Sequence, residues 1–338
     1  MSLFKHWLLL GLCLSLFTQV CQSKQTQLQV MAYNIMQLGK IAGDWDQSNR
    51  LNQLNKAIRQ LKSLPDVIVF NEVFTDSAAA VLHQLADLYP YQTPNVGQDC
   101  SGSGWHSLSG DCSNSLLVIR GGVMMISRYP ILEQHALVFT ASQFGSWDYQ
   151  SNKGAAYIKI ERNGQYFHVL GTHLQAAHDD SENSHPVRMQ QLTELRQWTD
   201  GFNISRSEPV IVAGDMNVEF GRNGHVEDML NSCQCNLAYQ PGLVKSYSAT
   251  TNWHTRANAY HFKFSLEYND TLDYVMTRAD YRQPRQAAMM EVVPLKSSQP
   301  WYWSYLRGWW PLAAGKQWHD GYYQDISDHY PVVATFYY

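Results

Sequence analysis

Charge is scarce in this chain, and what there is leans acidic. Lys, Arg, Asp and Glu supply 16% of its 338 residues, 25 basic side chains against 29 acidic. Proteins that hold nucleic acid along their length carry a basic footprint. No such overall attraction is indicated here, although a local basic groove is compatible with the balance. Cysteine is equally sparse, at six residues with no Cys-x-x-Cys pair, which leaves no basis for a structural zinc site of the usual spacing. No apolar run reaches the roughly 20 residues that span a bilayer. Internal repeats, low-complexity tracts and Pro/Ser-rich linkers are also missing, so nothing marks a boundary between domains. With 45% hydrophobic and 13% aromatic residues, the chain can bury a sizeable core and is not disordered.

The N-terminus pairs a short basic flank, Lys5-His6, with the apolar run Trp7 to Phe17. That is the pattern of a secretory signal peptide, and small residues at Cys21 and Ser23 allow cleavage near Ser23. The expected division is a signal peptide over 1–23 and one mature domain over 24–338. Secretion leaves Cys100, Cys112, Cys233 and Cys235, an even number that suggests disulfides in an oxidising compartment. Cys100 and Cys112 bracket a Gly/Ser-rich loop and are the favoured pair, whereas Cys233-Gln234-Cys235 would close a very small ring. Connectivity stays open on sequence alone.

Strand-length apolar runs recur at Leu28–Ala32, Val67–Phe70, Val123–Ile126, Ala155–Ile160, Phe167–Leu170, Val210–Ala213, Leu272–Met276 and Val332–Phe336. Their β-branched content favours strands. Helical spacing appears between them, in Leu51, Leu54, Ile58 and Leu61, then Val81, Leu82 and Leu85, then Met189, Leu192 and Leu195. The fold class expected is α/β.

Polar residues cluster at the ends of these runs. Asn34 follows the first, Glu72 the second, His173 the Phe167 run, and Asp215 with Asn217 the Val210 run; Asp328-His329 precedes the last. Strand ends and antiparallel strand beginnings meet at one sheet edge, so these segments are expected to converge on a cleft. Alone, each has a plain reading as a turn or capping residue; together they suit metal-assisted hydrolysis of a phosphate ester. Glu72 offers the hard anionic oxygen that Mg²⁺ prefers, with Asn34 beside it. His329 is placed as general base on water, with Asp273 to fix its tautomer. His173, Asp215 and Asn217 can orient water or donate to the phosphoryl oxygens as charge develops.

Met31-Ala-Tyr-Asn34, Asn71-Glu72-Val-Phe, Gly171-Thr-His173-Leu-Gln175, Gly214-Asp215-Met-Asn217, Leu272-Asp273-Tyr-Val and Ser327-Asp328-His329-Tyr-Pro331 resemble, in order, the motifs of the endonuclease/exonuclease/phosphatase superfamily. The resemblance spans nearly the whole mature chain. It implies a four-layer sandwich of two mixed, mainly antiparallel β-sheets flanked by helices. It also implies Glu72 and Asn34 at an Mg²⁺ ion, which Mn²⁺ or Co²⁺ can replace, and catalytic roles for His329, Asp273, His173, Asp215, Asn217 and Asp328.

Further segments resemble the bacterial neutral sphingomyelinase branch. Asp148-Tyr-Gln-Ser151-Asn152-Lys153-Gly154 places Lys153 against a phosphate and Asp148 where that branch carries an acidic residue linked to metal dependence. The aromatic stretch Trp301-Tyr302-Trp303 to Trp309-Trp310, within about 299–320, stands where that branch carries a membrane-contacting hairpin, and Trp and Tyr suit a membrane interface. The expectation is a secreted enzyme that cleaves sphingomyelin to ceramide and phosphocholine at a bilayer surface, with no nucleic acid and no obligate protein partner. The alternatives are a secreted Mg²⁺-dependent nuclease and another lipid phosphodiesterase of the phospholipase C type.

Overall fold

A computed structural model describes residues 26–39, 45–176, 181–238, 242, 244–303 and 321–338. The expected signal peptide, Trp309 and Trp310 lie outside those residues. Two large mixed sheets form the frame. The six-stranded sheet runs, edge to edge, through Met289–Val292, Val332–Tyr337, Gln27–Gln37, Val67–Val73, Met124–Ser127 and Tyr91–Gln92. The seven-stranded sheet runs through Cys235–Leu237, Asp273–Arg278, Val210–Asp215, Gln165–His173, Gly154–Arg162, Ile131–Val138 and Ser107–Gly110.

Alternation along the strands sets the layers, because successive side chains point to opposite faces. In Gln27–Gln37, Leu28, Val30 and Ala32 enter the core between the sheets, where Val169, Val212 and Val275 also lie. Met31, Tyr33 and Ile35 face the other way, against Leu51, Leu54 and Ile58 of the helix Gln47–Arg59 and Leu82 of Asp76–His83. Leu192 and Leu195 of the helix Ser181–Asp200 pack with the other sheet. The sheets approach closely at Gly171, where a Cβ would stand 2.7 Å from Val69 Cγ1.

Two disulfides are present, Cys100–Cys112 and Cys233–Cys235. The favoured pair is therefore made, and so is the short one, across Gln234 in left-handed backbone at the end of the helix His225–Cys233. Among the described residues no helix is long and apolar enough to cross a membrane.

The aromatic stretch departs from expectation. Lys296–Trp303 pairs antiparallel with Gly321–Asp325, and strand alternation turns Trp301 and Trp303 inward. Trp303 is only 6% exposed, in a small cluster with Met36, Trp45, Ala257 and Tyr323. The Trp301 indole packs on that cluster and donates to Asp46 Oδ2. Trp303 is therefore buried and Trp301 only partly exposed; among the described residues of the two strands the outward aromatic side chains are Tyr302 and Tyr322.

Candidate active site

Strand pairing carries the polar strand ends to one place. Gln27–Gln37 and Val67–Val73 run parallel with Asn34 opposite Asn71, so Asn34 and Glu72 leave the first sheet at the same edge. In the second sheet His173 is level with Asp215 on a parallel partner, and Asp215 with Asp273 on an antiparallel one. Val332–Tyr337 begins opposite Ala32, which returns Asp328 and His329 to that edge. Gly214 holds φ +146°, with any Cβ 1.8 Å from the Thr172 carbonyl oxygen, so only glycine allows this approach before Asp215.

Hydrogen bonds then join the two sheets across the cleft. Asn34 Nδ2 donates to Glu72 Oε1 and Asp215 Oδ2, each at 2.9 Å. Asn71 accepts from the Asp215 amide at 2.9 Å and donates to the Thr172 carbonyl at 3.0 Å. Asn217 donates its amide N–H to Asp215 Oδ1 at 2.9 Å and its side chain to the Leu174 carbonyl at 3.1 Å. His329 Nδ1 lies 2.7 Å from Asp273 Oδ2, and its Nε2 faces Asp215 Oδ2 at 3.7 Å. His173 Nε2 approaches the same Asp215 oxygen at 3.6 Å. Asp328 is clamped by Ser327 Oγ at 3.1 Å and Asn258 Nδ2 at 2.7 Å.

Lys153 is almost fully buried and reaches into the cleft, with Nζ 3.2 Å from His173 Nε2 and 2.8 Å from the Leu174 carbonyl. Its remaining partner is Asp148 Oδ2 at 2.8 Å, which also accepts from the Ala176 amide. Asp148 thus stands behind Lys153, apart from the carboxylates around Glu72. Asn34 also differs from expectation: its oxygen accepts from the Met36 amide at 3.0 Å, and its NH₂ faces the two carboxylates. In this orientation it separates like charges; acting as an oxygen ligand requires the amide to turn.

The site carries an excess of buried negative charge. Burial, reinforced by the Asp328 carboxylate, pushes the Glu72 carboxyl up to about 7. Burial also raises Asp273 and Asp328. At His329 burial pulls the imidazole down, but the carboxylates of Asp273, Asp215 and Asp328 outweigh it and hold the ring well above its ordinary value. Glu72 Oε2 and Asp273 Oδ1 are buried without a hydrogen-bond partner, an arrangement that native proteins avoid unless something else satisfies it. Glu72, His173 and Asp215 present ligand atoms within 4.8 Å of one another, as do Asp215, Asp273 and His329. The donor set, the orphan oxygens and the charge excess all fit a hard divalent cation.

Several supports were not legible from residue type. Arg50 is fully buried, and its guanidinium donates to the carbonyls of Trp45, Ile35, Met36 and Ile326. It ties the segment after Asn34 to the one before Asp328. Asn258, on the helix Trp253–Phe262, holds Asp328; the Tyr247 ring lies 4.7 Å from the His329 ring. The only sequence signal for Arg50 is its polarity on an otherwise apolar helix face. Glu72, Asn217 and Met36 hold φ of 59°, 49° and 47°, left-handed backbone that costs non-glycine residues about 1–3 kcal/mol and concentrates at functional sites.

An imidazole held by a carboxylate, a buried lysine and a cluster of anionic oxygens at the shared edge of a two-sheet sandwich suit a hydrolase acting on phosphodiester bonds with a metal. The chain belongs to the Endonuclease/Exonuclease/phosphatase family, whose pattern matches residues 33–329. It is 34% identical over 319 residues to a sphingomyelinase C of Bacillus cereus, covering 91% of this chain and 88% of that protein. It is 32% identical over 314 residues to a phospholipase C of Staphylococcus aureus, covering 91% and 87%. Among solved structures, a variant of Staphylococcus aureus beta toxin with bound magnesium ions superposes with a TM-score of 0.78 at 31% identity, covering 91% of this chain and 99% of that one.

Proposed function

We propose that this protein is a secreted, Mg²⁺-dependent sphingomyelinase that releases phosphocholine from sphingomyelin at a membrane surface and leaves ceramide in the bilayer. The observation that carries the substrate is the near end-to-end similarity to the sphingomyelinase C of Bacillus cereus. The weak basic complement of the chain speaks against the nuclease reading.

Glu72, Asp215 and a turned Asn34 are the residues to hold Mg²⁺, whose chemistry is to neutralise the phosphate and polarise its oxygens. His329 donates Nδ1–H to Asp273, which leaves Nε2 as the basic nitrogen for the water proton. The water oxygen then attacks phosphorus in line with the departing ceramide oxygen. Lys153 and His173 already converge at 3.2 Å, and a phosphoryl oxygen between them draws a hydrogen bond from each. Asn217, fixed by Asp215 and Leu174, sets the third side of that pocket. These contacts strengthen as the phosphate gains charge in the transition state.

The test is a substrate panel of sphingomyelin vesicles, phosphatidylcholine vesicles, phosphoinositide and plasmid DNA, with Mg²⁺ or with chelator. The expected result is Mg²⁺-dependent phosphocholine release, fastest from sphingomyelin. Nicking of plasmid without phosphocholine release sinks the reading.

A further inference from the structure

Two loops beside the cleft expose apolar side chains and almost no charge. The first, 113–120, carries Leu116 at 103% exposure, Leu117 at 78% and Ile119 at 50%. The second, 140–150, carries Phe144 at 84%, Trp147 at 68% and Tyr149 at 50%. From Cys112 to Ile119 no residue is charged, and from Thr140 to Asn152 the one charged residue is Asp148, buried against Lys153. Both loops run into the same small two-stranded sheet. Ile119 and Arg120 pair parallel with Ser151 and Asn152, and the 3₁₀ turn Trp147–Gln150 runs directly into Ser151.

Both loops are also firmly tied down, so the exposed rings are not trailing ends. Asn152 bonds the Ser113 amide at 3.0 Å and its carbonyl at 2.9 Å. The base of the second loop is held by Glu194, whose carboxylate accepts from the amides of Thr140 and Ala141 at 2.9 Å each. Gln175, two residues past His173, bonds the Gln143 amide at 3.1 Å and Ser146 Oγ at 3.2 Å. A cavity of about 300 Å³ lies between the first loop and Phe74, and the Phe74 ring centroid is 6.5 Å from that of His173.

We infer that these two loops form a membrane-docking surface, separate from the aromatic hairpin, that seats the cleft on a zwitterionic bilayer. The inference rests on the reading that the substrate is a bilayer lipid. Fixed loops bearing large apolar tips suit insertion at the headgroup boundary, where Trp and Tyr are at home. The missing charge selects the surface: anionic membranes are recognised through Lys and Arg clusters, and neither loop offers one. Since Asn152 anchors the first loop and Lys153 follows it into the cleft, docking here brings a lipid headgroup beside Lys153 and His173.

The test uses the Mg²⁺-loaded mature chain with Leu116→Ser/Leu117→Ser and Phe144→Ser/Trp147→Ser, and Phe144→Leu as an apolar control. Vesicle partition is measured in a His329→Ala background, so that turnover does not alter the surface. Partition onto neutral phosphatidylcholine and sphingomyelin vesicles is expected to fall about tenfold or more for each double variant. It should hold in Phe144→Leu and change little with salt or added phosphatidylserine. In the active background, hydrolysis of vesicles is expected to fall in parallel while hydrolysis of a monomeric short-chain sphingomyelin is unchanged. Unchanged partition overturns the inference, and so does binding that depends steeply on anionic lipid. Equal loss on vesicles and on the monomeric substrate makes the loops supports of the cleft and also overturns it. If the unaltered loops bind vesicles and the variants do not, yet no sphingomyelin is cleaved, the surface stands and the substrate reading falls.

Discussion

Replacing Glu72 with Gln should stabilise the metal-free protein while removing its response to Mg²⁺. Folding raises the Glu72 carboxyl from 4.5 to about 7, chiefly by burial and then by the Asp328 carboxylate. At about 1.4 kcal/mol per unit, ionised Glu72 costs the apo protein roughly 3 kcal/mol. Gln keeps an acceptor for Asn34 Nδ2 but puts an amide where Oε2 lies unpartnered, which returns about 1 kcal/mol. The net gain is about 2 kcal/mol, or roughly 3 °C in Tm for a chain of this size. The sign fixes the pH window. A carboxyl whose pKa is raised by folding binds its proton more tightly in the folded state, so its cost is absent below about pH 4.5. The cost grows up to about pH 7 and is constant above. Thermal denaturation of both proteins in chelator, from pH 4.5 to 8.5, should show the advantage of the variant appearing across that interval. Adding Mg²⁺ should raise the Tm of the parent, since a ligand bound only by the folded state stabilises it, and leave the variant unmoved. A variant less stable than its parent at pH 8 in chelator, or one that keeps the Mg²⁺ shift, refutes the assignment of Glu72 as an anion held ready for a cation.

Other outcomes follow from the same geometry. His329→Ala should lower kcat/KM by about 10²–10⁴ while vesicle binding persists; retained activity removes it as the base. Asp273→Asn keeps the shape but withdraws the largest attraction raising the His329 imidazole, so the acid limb of the kcat/KM profile should move to lower pH as the maximum falls. Lys153→Met should cost activity and also about 3 kcal/mol of stability, because buried Asp148 loses its cation and the Leu174 carbonyl its donor; a variant as stable as the parent in urea refutes the pairing. Arg50→Met should likewise destabilise by about 3 kcal/mol or more, because up to four carbonyls lose their donor; equilibrium unfolding in urea measures it.

Much of the frame was legible because it rests on alternation. Each apolar run read as a strand is a strand, and the Leu51, Leu54, Ile58 stripe is buried. The helix Trp253–Phe262 left no such trace, since buried His254, Thr255 and Asn258 stand there among the few apolar contacts; His225–Cys233 carries the spacing in Val226, Met229, Leu230 and Cys233, but over only nine residues. Register was illegible as well. The parallel pairings that set Asn34 beside Glu72 and His173 beside Asp215 depend on crossovers through distant sequence, which no local spacing encodes.

The tryptophans make the same point from the opposite side. Aromatic density in Trp301-Tyr302-Trp303 read as exposure, yet period-two geometry divides such a run between two faces. The rings at 301 and 303 pack against Trp45 and Met36, next to the segment that Arg50 fastens, so the hairpin is bolted to the strand carrying Asn34. Leu116-Leu117-Val118-Ile119 is a short apolar run of the kind that reads as a buried strand, and Phe144 and Trp147 stand singly among Ser, Gln and Gly, yet Leu116, Leu117, Phe144 and Trp147 are all exposed. Density in sequence measures how many apolar groups must find a place. Only the fold decides whether that place is core or surface: Trp303 is core, whereas Leu116 and Phe144 stand on the surface of loops held by Asn152, Gln175 and Glu194.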